Sequence, residues 1–432
     1  MSINDPNTLF KLHATHAQYN LSTEDLDELE RISLHFVHLF DKALHAQGIE
    51  TRIGLEQEFR ISKSATQSFD TAEEANAFAQ TMQQRITESF KAANLYESER
   101  RTGEGSPTPS PVIERFEFIH PFTPPYKFGR FEVVTYPLRP NKAAVLGKAI
   151  TSSLYHASQQ GSQNTDTLPP HTPHQLIKRI REKGPSYHSV SFNPADDQSS
   201  YSQHVNVSHW VGAADKTQEN LMTTPTYRQA MNNVLKHFAC TDMALILPSI
   251  DSDPRLSRSH LFPHHLGSLN DAAWERIEPK IPQRDRNEFR LADASTDPFL
   301  NVLMNMAASY HLTSSLTELG TQPGDALSPV EKLRKGIKEL ATMQPTHDYA
   351  SSHYLTIDER TNNIPIDTIY DLEQFTNFRD SSLVLPAMRK VAEQHGTPKD
   401  VQSVERFKEL ILARLTAFKG KFLIGAGTNS LF

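Results

Sequence analysis

The stretch RNEFRLADASTDPFLNVLMNMA, residues 286–307, changes its periodicity halfway along. Phe289 and Leu291 alternate with Glu288 and Arg290, a period of two that predicts a strand over 287–292. Asp297 then offers an N-cap and Pro298 suits the first helical position, so a long helix is predicted over 298–319. A strand with one charged and one apolar face therefore runs into a helix. Both neighbouring parts of the chain repeat the theme.

Upstream, Leu26, Leu29, Ile32, Phe36, Leu39, Phe40 and Ala43 recur at helical spacing between a Ser22 cap and a Gly48 stop. Residues 52–62 switch to period two, with Ile53, Leu55, Phe59 and Ile61 opposite Gly54, Glu56, Glu58 and Arg60. A helix is predicted over 71–93, where Thr71 and Glu74 have capping-box spacing. Residues 97–111 (ESERRTGEGSPTPSP) read as a mobile loop. Further strands are predicted at 112–119, 129–136, 188–192, 203–210 and 243–247, with helices at 141–158, 173–183 and 226–238. Downstream of about residue 327 the chain is mostly helical to 420. Few strand–helix–strand units occur, so the class is α+β and not a doubly wound parallel sheet. Residues 1–20 read as an N-terminal extension and 21–432 as one catalytic unit.

Composition narrows the function. Forty-four Lys and Arg stand against 51 Asp and Glu, a net charge of −7, which disfavours a general nucleic-acid binder that needs clustered cations for phosphates. The single cysteine, Cys240, forms no intrachain disulfide, and no long apolar run or basic-then-apolar leader is present. A cytoplasmic protein without membrane contact is expected.

There is no P-loop, no G-x-G-x-x-G, no H-E-x-x-H and no G-x-S-x-G. The chemistry sits instead on the polar faces of four strands. These faces carry Glu56 and Glu58 in the first, Glu132 in FGRFEVVTYP, His204, Asn206 and Ser208 in QHVNVSHW, and Glu288 and Arg290 in RNEFRLAD. One such strand describes any half-exposed sheet. Four of them, offering carboxylates with one imidazole, suit Mg²⁺ or Mn²⁺, and the adjacent arginines suit phosphoryl transfer.

The ordered segments GLEQEFRI, FGRFEVVTYP, HSVSFNP, QHVNVSHW, SIDSDPRL and RNEFRLADASTDPFL resemble the catalytic domain of glutamine synthetases. They are similar, more loosely, to related carboxylate–amine ligases that include glutamate–cysteine ligase. The resemblance implies a curved, mostly antiparallel sheet flanked by helices. It also implies ATP with two or three Mg²⁺ or Mn²⁺ sites, and a substrate carboxylate, that of glutamate, joined to an amine. Glu56, His204 and Glu288 match ligands of the metal at the nucleotide phosphates. Glu58 and Glu132 match two of three carboxylates for the metal near the amino-acid substrate. Arg290 matches the arginine at the transferring phosphate, and Arg255 the substrate-carboxylate arginine. Asn206, Ser208 and Arg286 fall at nucleotide positions.

Four departures accompany the resemblance. The third carboxylate position falls on Pro124, with Glu117 as the substitute. ADDQSSYS replaces a glycine-rich approach to His204, and the asparagine–arginine–serine block between Ser268 and Asp285 has no clear counterpart. The family's N-terminal β-grasp domain is not recognisable, which argues against a standard dodecamer and against ammonia as the assumed acceptor. A γ-glutamyl ligase using another amine, or a degenerate member acting as a binding or regulatory protein, remain as alternatives. His260, His264 and His265 read as surface histidines. The basic run from Lys178 to Lys183 reads as a solvated helix face, Cys240 as core, and Trp210 and Trp274 as packing.

Overall fold

A computed structural model describes residues 22–62, 69–92, 96–97, 110–111, 113–120, 128–159, 190–191, 202–212, 218–238, 242, 273–290, 292, 296–343 and 382–425. The strand expected at 243–247, the helix at 173–183, Cys240, Arg255 and the histidines at 260, 264 and 265 lie outside them.

Helix α1 (Thr23–Ala46) starts at Ser22, whose hydroxyl accepts from the Asp25 N–H while the Asp25 carboxylate accepts from the Ser22 N–H. It ends at Gly48, whose φ of 78° admits the turn into strand β1 (Ile49–Ser62). Helix α2 (Ala72–Ala92) follows. Two short strands, β2 (Tyr96–Glu97) and β3 (Ser110–Pro111), pair with each other, so the ends of the expected loop are tied together. Strands β4 (Ile113–His120) and β5 (Phe128–Thr135) lead to helix α3 (Pro140–Gln159). Then come β6 (Val190–Ser191), β7 (Gln203–Val211), β8 (Glu219–Asn220), α4 (Pro225–Phe238), β9 (Ala273–Arg276) and β10 (Arg286–Phe289). Helices α5 (Pro298–Leu319), α6 (Pro329–Leu340), α7 (Val384–His395) and α8 (Pro398–Gly425) complete the described elements.

The main sheet runs β4-β5-β1-β7-β10-β9, with β6 added to β1 and β8 to β7, and every pairing is antiparallel. The fold is thus α+β, as the strand and helix periods imply. Strand β10 is shorter than the expected 287–292. Past Phe289 the chain leaves the ladder, and Ala292 uses its carbonyl to accept from the Gln203 N–H.

One face of the sheet is apolar. Ile53, Leu55, Val205, Val207 and Phe289 join a single core with α1, α4 and α5. Helix α5 is buried on nearly all sides, because it packs against α1, α3, α4 and α6 as well as β7. Gly320 and Gly336 let α5 and α6 touch: a Cβ at Gly336 would overlap the Leu316 carbonyl, and one at Gly320 the Lys332 carbonyl.

A polar seam crosses this core. Gln203 Nε2 donates to Gln57 Oε1 at 2.9 Å, and Asn301 Nδ2 donates to the Gln203 carbonyl and Oε1 at 3.1 and 3.0 Å. Asn305 and Ser309 continue the seam along α5, each donating four residues back. Among the described residues no helix is long and apolar enough to cross a membrane.

Candidate metal centre

The second face of the sheet carries the candidate site. Pairing of β1 with β7 sets Glu56 opposite His204 and Gly54 opposite Asn206. Pairing of β10 with β7 sets Glu288 opposite Asn206, and pairing of β1 with β5 sets Glu58 opposite Glu132. Residues 232 positions apart thereby become neighbours through ladder register alone. The polar face is not the solvated surface that alternation usually signals: Glu56, Glu58, Glu132, His204, Asn206, Ser208 and Glu288 are all buried.

His204 is the hub. Its Nδ1 lies 3.1 Å from Glu56 Oε2 and 3.3 Å from Glu288 Oε1. Asn206 Nδ2 donates to Glu56 Oε1 at 2.9 Å, and Arg286 Nε donates to Asn206 Oδ1 at 3.0 Å. Burial alone would raise the Glu56 pKa, but the hydrogen bond and charge of His204, with Asn206 and Arg286, bring it down to about 2. Burial would likewise lower His204; the Glu56 hydrogen bond and the charges of Glu288, Glu58 and Glu56 outweigh it and raise the value.

Around the carboxylates stand four arginines. Arg276 Nε donates to Glu288 Oε2, a contact that raises the Arg276 pKa. Arg290 Nε lies 3.4 Å from Glu288 Oε1. Arg286 adds a 3.5 Å contact to Glu278. Arg130 Nη2 donates to Glu58 Oε1 at 2.7 Å. At the far end of β7, Trp210 Nε1 donates to Ser208 Oγ at 3.1 Å, and the Arg52 guanidinium sits 4.3 Å from the Trp210 ring centroid.

The donor set fits a divalent cation. Glu56, Glu132 and His204 each offer a ligand atom, all within 4.8 Å of one another and all buried. Glu288 Oε1 is fully buried, faces this cluster and has no hydrogen-bond partner. Three carboxylate oxygens and one imidazole nitrogen suit Mg²⁺ or Mn²⁺. Glu58, opposite Glu132, has both oxygens engaged elsewhere: Arg130 donates to Oε1 and the Ser202 N–H to Oε2, both at 2.7 Å. The backbone of Glu117 pairs with that of Glu132, while its side chain lies outside the described residues. Glu132 thus groups with Glu56 and His204, whereas the resemblance pairs it with Glu58.

Two functional candidates escape the sequence reading. Arg130 had a legible signal, since it lies two residues before Glu132 in a strand and so shares its face. Arg276 had none, because only the β9–β10 pairing brings it beside Glu288. Trp210, expected to serve packing, is on the polar face and carries Arg52.

Residues 172–344 match the family model described as glutamine synthetase, catalytic domain. The match relates this segment, two-fifths of the chain, to that catalytic domain. It contains His204, Asn206, Ser208, Arg255, Arg286, Glu288 and Arg290, while Glu56, Glu58, Glu117 and Glu132 precede it. Among solved structures, Plasmodium falciparum glutamine synthetase is similar at 13% identity over 92% of this chain and 77% of that one, with a TM-score of 0.49. A structure titled as a novel glutamine synthase homolog is 13% identical over 92% of this chain and 72% of that one, with a TM-score of 0.46. No curated protein matches the chain.

Proposed function

We propose that the protein is an ATP-dependent carboxylate–amine ligase of the glutamine synthetase type. The observation that carries this reading is the buried cluster of Glu56, Glu132 and His204, with a Glu288 oxygen that accepts no hydrogen bond beside it and arginines at its rim. Glu56, Glu132, His204 and Glu288 would hold Mg²⁺ or Mn²⁺, which when bound supplies charge to phosphate oxygens. Arg290 and Arg276, beside Glu288, bring positive charge to the same place and are suited to an anionic group transferred there. Arg286, fixed by Asn206 and Glu278, together with Ser208, borders the half expected to take the nucleotide. In the reaction, a substrate carboxylate oxygen takes the γ-phosphoryl group of ATP and ADP leaves. An amine then attacks the acyl carbon, inorganic phosphate departs and an amide remains. Glutamate is the proposed acid, and Arg255 the residue proposed to receive its α-carboxylate. The amine is ammonia, an amino acid, a polyamine or a protein amine. The acid is a small molecule, no nucleic-acid or membrane partner is proposed, and the proposed setting is the cytoplasm.

The test is ADP release from ATP and Mn²⁺ with glutamate and a panel of amines. Activity with one pair is expected, reduced by about 100-fold or more in Glu288→Gln, since removing one transition-state charge contact costs roughly that much. Turnover undiminished in Glu288→Gln would overturn the reading. A second reading, a nucleotide-binding member without turnover, is favoured by the commitment of Glu58 to Arg130. It predicts thermal stabilisation by ATP with no ADP release for any pair.

A further inference from the structure

Glu58 and Glu132 are directly opposed on neighbouring antiparallel strands, which brings the Cβ atoms of two like charges to within about 4.5–5.5 Å. Such a pair needs a cation between or beside its members. The structure supplies one from its own sequence: Arg130 on β5, whose guanidinium is largely buried and meets Glu58 at 2.7 Å. The other Glu58 oxygen is held by a donor that cannot swing away. The Ser202 N–H donates to it, while the Ser202 carbonyl accepts from the Glu58 N–H at 3.0 Å, so main chain and side chain lock each other.

The contrast with Glu288 is informative. Its partner Arg276 is 42% exposed and can withdraw to solvent, and its Oε1 has no hydrogen bond. Glu288 Oε1 is therefore open to an added cation, and Glu58, bonded on both oxygens by a largely buried guanidinium and a backbone amide, is not. The three-ligand cluster contains Glu56, Glu132 and His204, and of the two remaining carboxylates only Glu288 turns an oxygen without a hydrogen bond toward it, 3.3 Å from His204 Nδ1.

We propose that Arg130 is a built-in cation that takes the place of a second divalent ion in this site. The chain then holds one divalent ion, at Glu56, Glu132, His204 and Glu288, and meets the anionic oxygen of its carboxylate or phosphate substrate with the Arg130 guanidinium. A guanidinium is charged at every working pH and cannot be removed by a chelator. Its planar fork suits a carboxylate or phosphate oxygen. The proposal rests on the metal-centre reading above.

The experiment counts Mn²⁺ per chain by electron paramagnetic resonance of the free ion, in the full-length protein without nucleotide. Wild type is expected to bind one ion, lost in His204→Ala. Glu58→Gln should retain one ion with affinity within about threefold. Arg130→Gln, which frees Glu58 Oε1, should bind a second, weaker ion with a dissociation constant below about 1 mM. Arg130→Lys keeps a cation and should return to one. Two ions in wild type with one lost in Glu58→Gln, or a single ion in a folded Arg130→Gln, would overturn the proposal. No bound ion in wild type, or one that survives His204→Ala, would instead sink the metal-centre reading itself.

Discussion

Asn301 offers the sharpest test of how the helix beneath the sheet supports the site. It is fully buried on α5, and its Nδ2 spans the Gln203 carbonyl and Oε1. Gln203 in turn binds Gln57, so one amide joins the helix to the two strands that carry His204 and Glu56. Asn301→Ala removes the donor from two buried acceptors. With a net bond worth about 1 kcal/mol and an orphaned buried acceptor costing about 1–3, the expected loss is about 2–4 kcal/mol. That is a large part of a typical stability of about 5–15 kcal/mol. Asn301→Asp should lose more, because it turns an anion toward the same two oxygens. Urea denaturation followed by circular dichroism reads both, with the slope unchanged if the unfolded state is unaffected. Because Gln203 is adjacent to His204, Mn²⁺ affinity should also fall by about 10-fold or more, as for groups that orient metal ligands. An Asn301→Ala protein within about 0.5 kcal/mol of wild type, or an Asn301→Asp protein as stable as wild type, would refute this account of the seam.

Lys148 is 5% exposed and joins Glu30 on α1 to Asp297, the α5 N-cap, at 3.0 and 2.6 Å; Lys148→Met should cost about 3 kcal/mol by urea unfolding, and no loss would show the pair to be idle. Gly336→Ala drives a methyl into the Leu316 carbonyl and should cost about 1–3 kcal/mol, checked by thermal unfolding against the same change at Gly324, where nothing lies within 4 Å but φ is 86°. Burial depresses His209 to about 3, with Tyr227 hydrogen-bonded to its Nδ1 at 2.8 Å. Below the unfolded value of 6.5 the unfolded chain binds a proton that the folded one refuses, so stability falls as pH drops from 6.5 toward 3. Between pH 6.5 and 5 this amounts to about 2 kcal/mol, and His209→Asn should flatten that part of the pH–stability profile. An unchanged slope in the variant would place the neutral histidine reading in error.

Much of the fold was legible because local periods and caps are local physics. The helix predicted over 298–319 appears as Pro298–Leu319, since Asp297 and Pro298 define its start independently of the rest of the chain. The strand that ends at Phe289 was less legible, because its neighbour β7 is far away in sequence and meets the chain next at Ala292, one residue out of the ladder's register. The burial of the polar face was not legible at all. Alternation says which residues share a face, not whether the face meets water.

The division at the site follows the same physics. Composition and spacing determined by themselves that Glu56, Glu58, Glu132, His204 and Glu288 sit on polar strand faces, because side chains alternate along any strand whatever its partners. Only the tertiary structure decided which of them lie together. Register sets Glu56 against His204 and Glu58 against Glu132, and a one-residue slip of β1 would turn Glu56 and Glu58 into the apolar core. Likewise, only the packed structure assigns Arg130 to Glu58 and Arg276 to Glu288. Charge pairing depends on distances of a few ångströms between segments far apart in sequence, and no local pattern encodes them.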